Sequence, residues 1–277
     1  MASVSLRHHA PVTDMDRFSS IDDNGIDLDW EAEHQFTTLL GRLCKFIRTE
    51  VDPVRLGNAY KAMPLHIITT SHGFQNKLDD FRDTHLEPTM PDKKTSLRMQ
   101  PKRRLLWLKY LSGVVLLRPC FSMEEKVFDG LLPEFSCIVT LSEAMASSRQ
   151  PPFHERHELN LDMGVIHPLF KVAIKCRSPR IRRKAIALLG IAASSEAVWD
   201  SPAYKAYAER TMQKEEEGLN LNEDDLDDLE PSVISESRRI HTLEMWPKDE
   251  KSSTVTFRTR PEGLGTEWVD VTEVITW

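Results

Sequence analysis

Apolar residues recur every three or four positions from Phe36 to about Met212, and every second position beyond Arg239. That change of period constrains the fold more than any other feature of the chain. A side chain on a helix returns to the same face after three or four residues, and one on a strand after two. The chain is therefore expected to be mainly α, a multi-helix array or bundle, closed by a small C-terminal antiparallel β hairpin.

Prolines divide the helical part. Phe36, Leu39, Leu40, Leu43, Phe46 and Ile47 share one face of a helix that opens at Asp29 or Trp30, with Pro53 just past its end. Pro64 starts a second helical segment carrying Ile67, Phe74, Leu78 and Phe81. Pro88, Pro91 and Pro101 mark a loop. Residues 102–117 form the most apolar helix, ended by Pro119, and Ser122 followed by Glu124 and Glu125 has the pattern of a helix N-cap. The helical face from Val127 to Leu141 contains Pro133, which predicts a kink or a break. Residues 164–176 and 180–189 read as two helices joined by a tight turn at Ser178-Pro179, and Pro202 opens a last helix through Met212. Trp199 is expected to anchor the turn between them.

The expected organisation is a flexible leader at 1–29 and a helical domain at 30–213. An acidic linker at 214–235 follows, then a β element at 236–277 that packs back on the helices. The linker is expected because residues 215–230 carry nine acids and no base, and such a block repels itself. Leu219, Leu221, Leu226 and Leu229 within it also fit an acidic-hydrophobic activation segment. In the β element, 239–245, 254–258 and 268–271 alternate, with the turn residues Pro261 to Gly265 between the last two.

Several function classes are disfavoured. A net charge of −7 argues against a protein that coats nucleic acid, though not against a local basic patch. The longest apolar stretch, 105–117, contains Lys109 and is too short for a bilayer. The four cysteines form no CxxC pair, which speaks against a cysteine zinc site or a disulfide scaffold and for free, buried thiols in a reducing compartment. His154 and His157 stand three apart, where a zinc-protease helix needs four, so a solvated loop or helix start is expected there. Neither a GxSxG turn nor a glycine-rich phosphate loop occurs. No enzyme activity and no cofactor are expected.

One cluster stands out. Lys171, Lys175, Arg177, Arg180, Arg182, Arg183 and Lys184 fall within 14 residues with no acid among them. Two helices meeting at Ser178-Pro179 would gather several of these charges on one face. They form the candidate interaction patch, with three readings open: solvated or internally paired charge, a protein contact, or an anion or nucleic-acid site. Direct nucleic-acid binding is disfavoured. The run lacks interleaved aromatics, and 185–191 is too apolar for a recognition helix.

The same region carries a family likeness. The string Lys175-Cys176-Arg177-Ser178-Pro179, continuing through Arg182-Arg183 and Ala185 to Leu188-Leu189, has the form KCR-x-P-x-x-RR-x-A-x-x-LL. Met163 to Phe170 precede it and Glu196-Ala197-Val198-Trp199-Asp200 follow. Together they resemble the regulatory region of fungal zinc-binuclear-cluster transcription factors, over roughly 98–212. Ser194-Ser195 and Ala197 stand where that family has an arginine pair and a glycine. The family's six-cysteine cluster, which holds two zinc ions and reads DNA, has no counterpart here: Cys44 is the only cysteine before Cys120. The resemblance implies a nuclear regulatory protein that works through protein contacts, with a DNA-binding relative or a second copy as partner. The alternative is a helical scaffold unrelated to transcription, located in the cytoplasm.

Overall fold

The computed structural model describes residues 26–57, 62–147, 164–192, 195–196, 199–219, 221 and 229–277. The leader up to residue 25, the pair His154 and His157, the side chain of Trp199 and the acids at 223–228 lie outside the described residues.

The chain is mainly helical, with a C-terminal antiparallel sheet. Helix α1 (Ile26–Phe46) runs through a π-helical turn (Ile47–Val51) into the short α2 (Asp52–Arg55). Then come α3 (Leu65–His85), α4 (Lys93–Arg98), α5 (Pro101–Leu117) and a 3₁₀ segment (Glu125–Leu131). These are followed by α6 (Leu132–Ser147), α7 (Ile166–Lys175) and α8 (Pro179–Leu189). A two-residue ladder, β1 (Ser195–Glu196) with β2 (Trp199–Asp200), leads into α9 (Ser201–Glu216). The sheet is β3 (Thr242–Asp249), β4 (Ser252–Thr259) and β5 (Val269–Thr276), in that spatial order.

Helix α5 is the axis. It touches α1 and α3 on one side and α6 and α7 on the other. A helix enclosed this way needs apolar residues nearly all round, and Leu106 to Val115 are buried without a break. The polar groups this encloses find partners. Ser112 Oγ donates to Leu108 O at 2.8 Å, and Lys109 Nζ reaches Glu33 Oε1 at 2.6 Å. Gly113 leaves room for side chains of α1 and α3 against α5: a Cβ there would sit 3.2 Å from Leu78 Cδ2 and 3.5 Å from Phe36 Cζ. Helices α6 to α9 pack as a second group, and Phe135 of α6 is fully buried beside Phe128 at a ring separation of 6.5 Å. Phe135→Ala should cost about 3–5 kcal/mol, the usual loss for an enclosed aromatic; a shift in the urea midpoint well short of that would place the core elsewhere.

The sheet lies against α9. Val255, Phe257 and Ile275 join the main core, Tyr207 Oη donates to Ser253 Oγ at 2.7 Å, and Arg210 holds Glu273 through two nitrogens at 2.6 and 2.9 Å. The hairpin expected from the alternation is thus β3–β4, extended by β5 as a third strand.

Several expectations need correction. The Pro88–Pro101 stretch is not all loop. Asp92 accepts from Thr95 N at 2.7 Å and caps α4, and the buried Arg104 donates to Ser96 O and Leu97 O near the C-terminal end of α4 and to Ala144 O of α6. Helix α1 begins at Ile26, so it takes in the last four residues of the expected leader. Ser122 does not cap an α-helix; it makes a local turn with Glu124. The Glu236 carboxylate accepts instead from Glu125 N and Lys126 N at 2.7 and 2.9 Å, from 110 residues away. Pro133 does break its pattern, because proline suits the first turn of α6 and not an interior. The acidic linker starts later than 214, since α9 continues to Glu216. Residues 231–233 and 236–238 are single helical turns, and the β element proper begins at Thr242.

Candidate functional site

The basic run is mostly inside the protein. Lys175, Arg177 and Arg182 are buried, the last two completely. Helix α7 ends at Lys175 and α8 starts at Pro179, so only Cys176, Arg177 and Ser178 connect them. This short joint turns the Arg177 and Arg182 side chains toward the end of α9. There Glu215 accepts from Arg177 Nη2 at 2.7 Å, Arg182 Nη2 at 2.6 Å and the backbone N–H of Ile240 at 2.7 Å. Arg182 Nε also donates to Ala173 O at 2.9 Å, which locks α8 onto α7. On the other side, Glu125 accepts from Lys175 Nζ at 2.7 Å and Arg177 Nη1 at 3.1 Å, and Lys175 donates in addition to His241 O at 2.7 Å. Arg239, fully buried, grips both oxygens of Asp129 at 2.7 and 2.8 Å and the carbonyls of Pro231 and Ile234. One ionic clasp therefore ties the 3₁₀ segment, the α7–α8 joint, the end of α9 and the approach to the sheet.

Its electrostatics follow from enclosure. Burial alone would raise the Glu215 carboxyl, but the Arg177 and Arg182 charges outweigh it and hold the group at about 2. Burial likewise opposes the Glu125 charge, and Lys175 and Arg177 keep it below the usual range. Burial lowers Lys175 to about 8, against the pull of Glu125. Buried charges of this kind are tolerated only when paired and hydrogen-bonded.

The candidate patch is therefore corrected for Lys175, Arg177 and Arg182, which are structural and offer no surface. The reason is local geometry: the short joint turns Arg177 and Arg182 inward onto Glu215 of α9, and Lys175 onto Glu125 of the 3₁₀ segment. Of the rest, Arg183 pairs with Glu216, and Lys184 pairs with Glu143 at 2.7 Å. Arg180 stays exposed. Lys171 goes elsewhere, to a cavity.

That cavity, about 340 Å³, lies between the π-helical turn and α2, the end of α5, the 3₁₀ segment and α7. Val115, Leu116, Pro119 and Phe128 give it an apolar wall. Arg48, Asp52, Arg55 and Lys171 bring charge, and Cys44, Cys120 and His167 complete the lining with Lys175 at one side. Arg55 Nη2 donates to Asp52 Oδ1 at 3.2 Å, while its Nε is buried with no hydrogen-bond partner among the described residues. Lys171, half-buried, has no hydrogen-bond or ion-pair partner among the described residues, and its ammonium is pushed below the usual lysine range, first by burial and also by the Arg55 charge. Burial drives His167 down to about 3, so its ring is neutral at pH 7.

The thiols are poorly suited to nucleophilic work. All four are free, and burial pushes Cys137 up to about 12 and Cys176 to about 11, with Cys44 and Cys120 raised as well. A thiol is reactive as its thiolate. Among the described residues no group of three or more His, Cys, Asp or Glu is placed to hold a metal, and no helix is long and apolar enough to cross a membrane.

Residue order missed most of the cavity. The missed signal is a stripe: Cys44, Arg48, Asp52 and Arg55 are spaced by four, four and three, a single helical face that continues past Pro53. Pro53 sits in the first turn of α2, where proline does not interrupt a helix.

Comparison with protein-family models, curated proteins and solved structures finds no match.

Proposed function

We propose that this chain is a transcription-regulatory helical module that acts in the nucleus through contact with a protein partner and without catalysis. The observation that carries this reading is the use of the residues behind the likeness to fungal zinc-cluster regulatory regions. Lys175, Arg177, Pro179, Arg182 and Arg183 build the α7–α8 joint and its clasp onto α9. A string spent on a buried joint specifies an architecture, and shared architecture is what a regulatory-domain resemblance requires. The absence of catalysis is supported by the same economy. The buried carboxylates at 125 and 215 are consumed in ion pairs, and the thiols are held protonated.

Partner contacts fall to the outer surface, where Arg180 and Lys184 remain from the basic run. The test is cellular. A fluorescently tagged chain should concentrate in the nucleus of its native cell, and deletion should change a confined set of transcripts. A tag excluded from the nucleus, together with unchanged transcript levels on deletion, overturns the reading and favours a scaffold outside transcription.

A further inference from the structure

The cavity beside α7 holds a positive charge that the fold does not answer. Among the described residues four cations border it, Arg48, Arg55, Lys171 and Lys175, against the single acid Asp52. Lys175 is satisfied by Glu125 and two backbone carbonyls. Asp52 answers Arg55 at one nitrogen only, leaving the buried Nε without an acceptor among the described residues. Arg48 is exposed, where water screens it. Lys171, half-buried at the cavity wall, is left with no acceptor among the described residues. The local backbone is also unusual. Helix α1 widens into a π-turn at Ile47–Val51, where Ile47 and Arg48 meet the cavity. Such turns are rare in α-helices and concentrate at functional sites.

We propose that this cavity binds a small amphipathic carboxylate, with its head group on Lys171 and Arg55 and its apolar body against Val115, Leu116 and Phe128. The volume suits a small molecule. The Lys171 ammonium and the partly exposed Arg55 guanidinium, which Asp52 meets at one nitrogen, bring the positive charge that a carboxylate requires. The apolar wall accounts for the rest of the ligand, which inorganic phosphate lacks. The inference stands whether or not the chain acts in transcription.

Octanoate is the probe, with octanamide as its uncharged counterpart and inorganic phosphate as the anion without an apolar body. In calorimetric titration of the full chain, octanoate should bind, and octanamide and phosphate should bind about tenfold more weakly or not at all. Lys171→Met, folded by circular dichroism, should weaken octanoate by about tenfold or more. A second readout needs no variant: saturating octanoate should slow acetylation of Lys171 by an amine-reactive reagent, followed by peptide mass spectrometry. Octanamide or phosphate binding as tightly as octanoate overturns the proposal. So does an absence of octanoate binding at millimolar concentration, or a Lys171 acetylation rate that octanoate leaves unchanged.

Discussion

Replacing Glu215 with alanine is expected to cost about 3–5 kcal/mol, a large part of the stability of a domain this size. The substitution removes the acceptor for Arg177, Arg182 and the Ile240 N–H together, and all of these groups are buried. Arg182 would remain enclosed without its close counter-charge, and Arg177 would keep only Glu125, which it shares with Lys175. The penalty is that of leaving buried charge unanswered, which exceeds the worth of the pair itself. Glu215→Gln should also destabilise. An amide keeps the shape but loses the charge, and its N–H₂ faces groups that only donate. The contrasting control is Glu273→Gln. Its partners Arg210 and Lys214 hold it at about 2, yet the cluster is partly exposed, and solvent screening should limit the loss to under about 1 kcal/mol. Urea unfolding followed by circular dichroism measures all three. Equal, small losses for Glu215→Ala and Glu273→Gln would mean that the clasp is not the joint between α8, α9 and the sheet.

Acidification from pH 7 to about pH 5 should lower stability steadily, before the ordinary carboxylates titrate. Burial depresses His241 to about 4 and His167 to about 3. Each imidazole takes up its proton near pH 6.5 when the chain is unfolded and only near 3–4 when it is folded. The unfolded state then binds more protons throughout that interval, so stability present above pH 6.5 is lost as the pH falls. The slope approaches about 1.4 kcal/mol per pH unit for each histidine. The charges facing His241 are Glu125, Lys175, Arg55 and Arg177, with Glu236 Oε1 at 3.5 Å from Nε2; Lys171 faces His167. Below about pH 4.5 Glu215 and Glu125 add to the loss, because their folded values are also depressed. His241→Phe preserves the edge contact with Trp268, whose ring lies 5.0 Å away, and should flatten the upper part of the curve. A urea midpoint constant between pH 7 and pH 5 in the wild-type chain would contradict the burial of both rings.

The two predictions share a cause that residue order does not display. The basic run at 171–184 and the acids at 215–216 each look self-repelling when taken alone. In the fold Arg177, Arg182 and Arg183 are answered by Glu215 and Glu216 across 33 to 38 residues of sequence. Internal pairing is one reading of such a run, but residue order does not name the partners, which here stand on another helix. Arg239 and Asp129, 110 residues apart, gave no signal at all.

Hydropathy period was enough to find the long helices and the strands, because burial of an apolar face depends on spacing along one chain segment. It placed the helices around Leu43, Leu78, Leu111 and Ile138, the break at Pro133, the joint at Ser178-Pro179 and the change to strands after Arg239. It did not register α4, whose Asp92 cap and Arg104 contacts outweigh the flanking prolines. Tertiary packing alone decided what the charges do. A lysine or arginine has the same letter whether it is hydrated, paired in the core or aimed into a cavity, and its energy differs by several kcal/mol among those places. Lys171, Lys175, Arg180 and Arg182 therefore looked alike in the sequence, and only the meeting of α7, α8 and α9 with the π-turn of α1 assigned each its role.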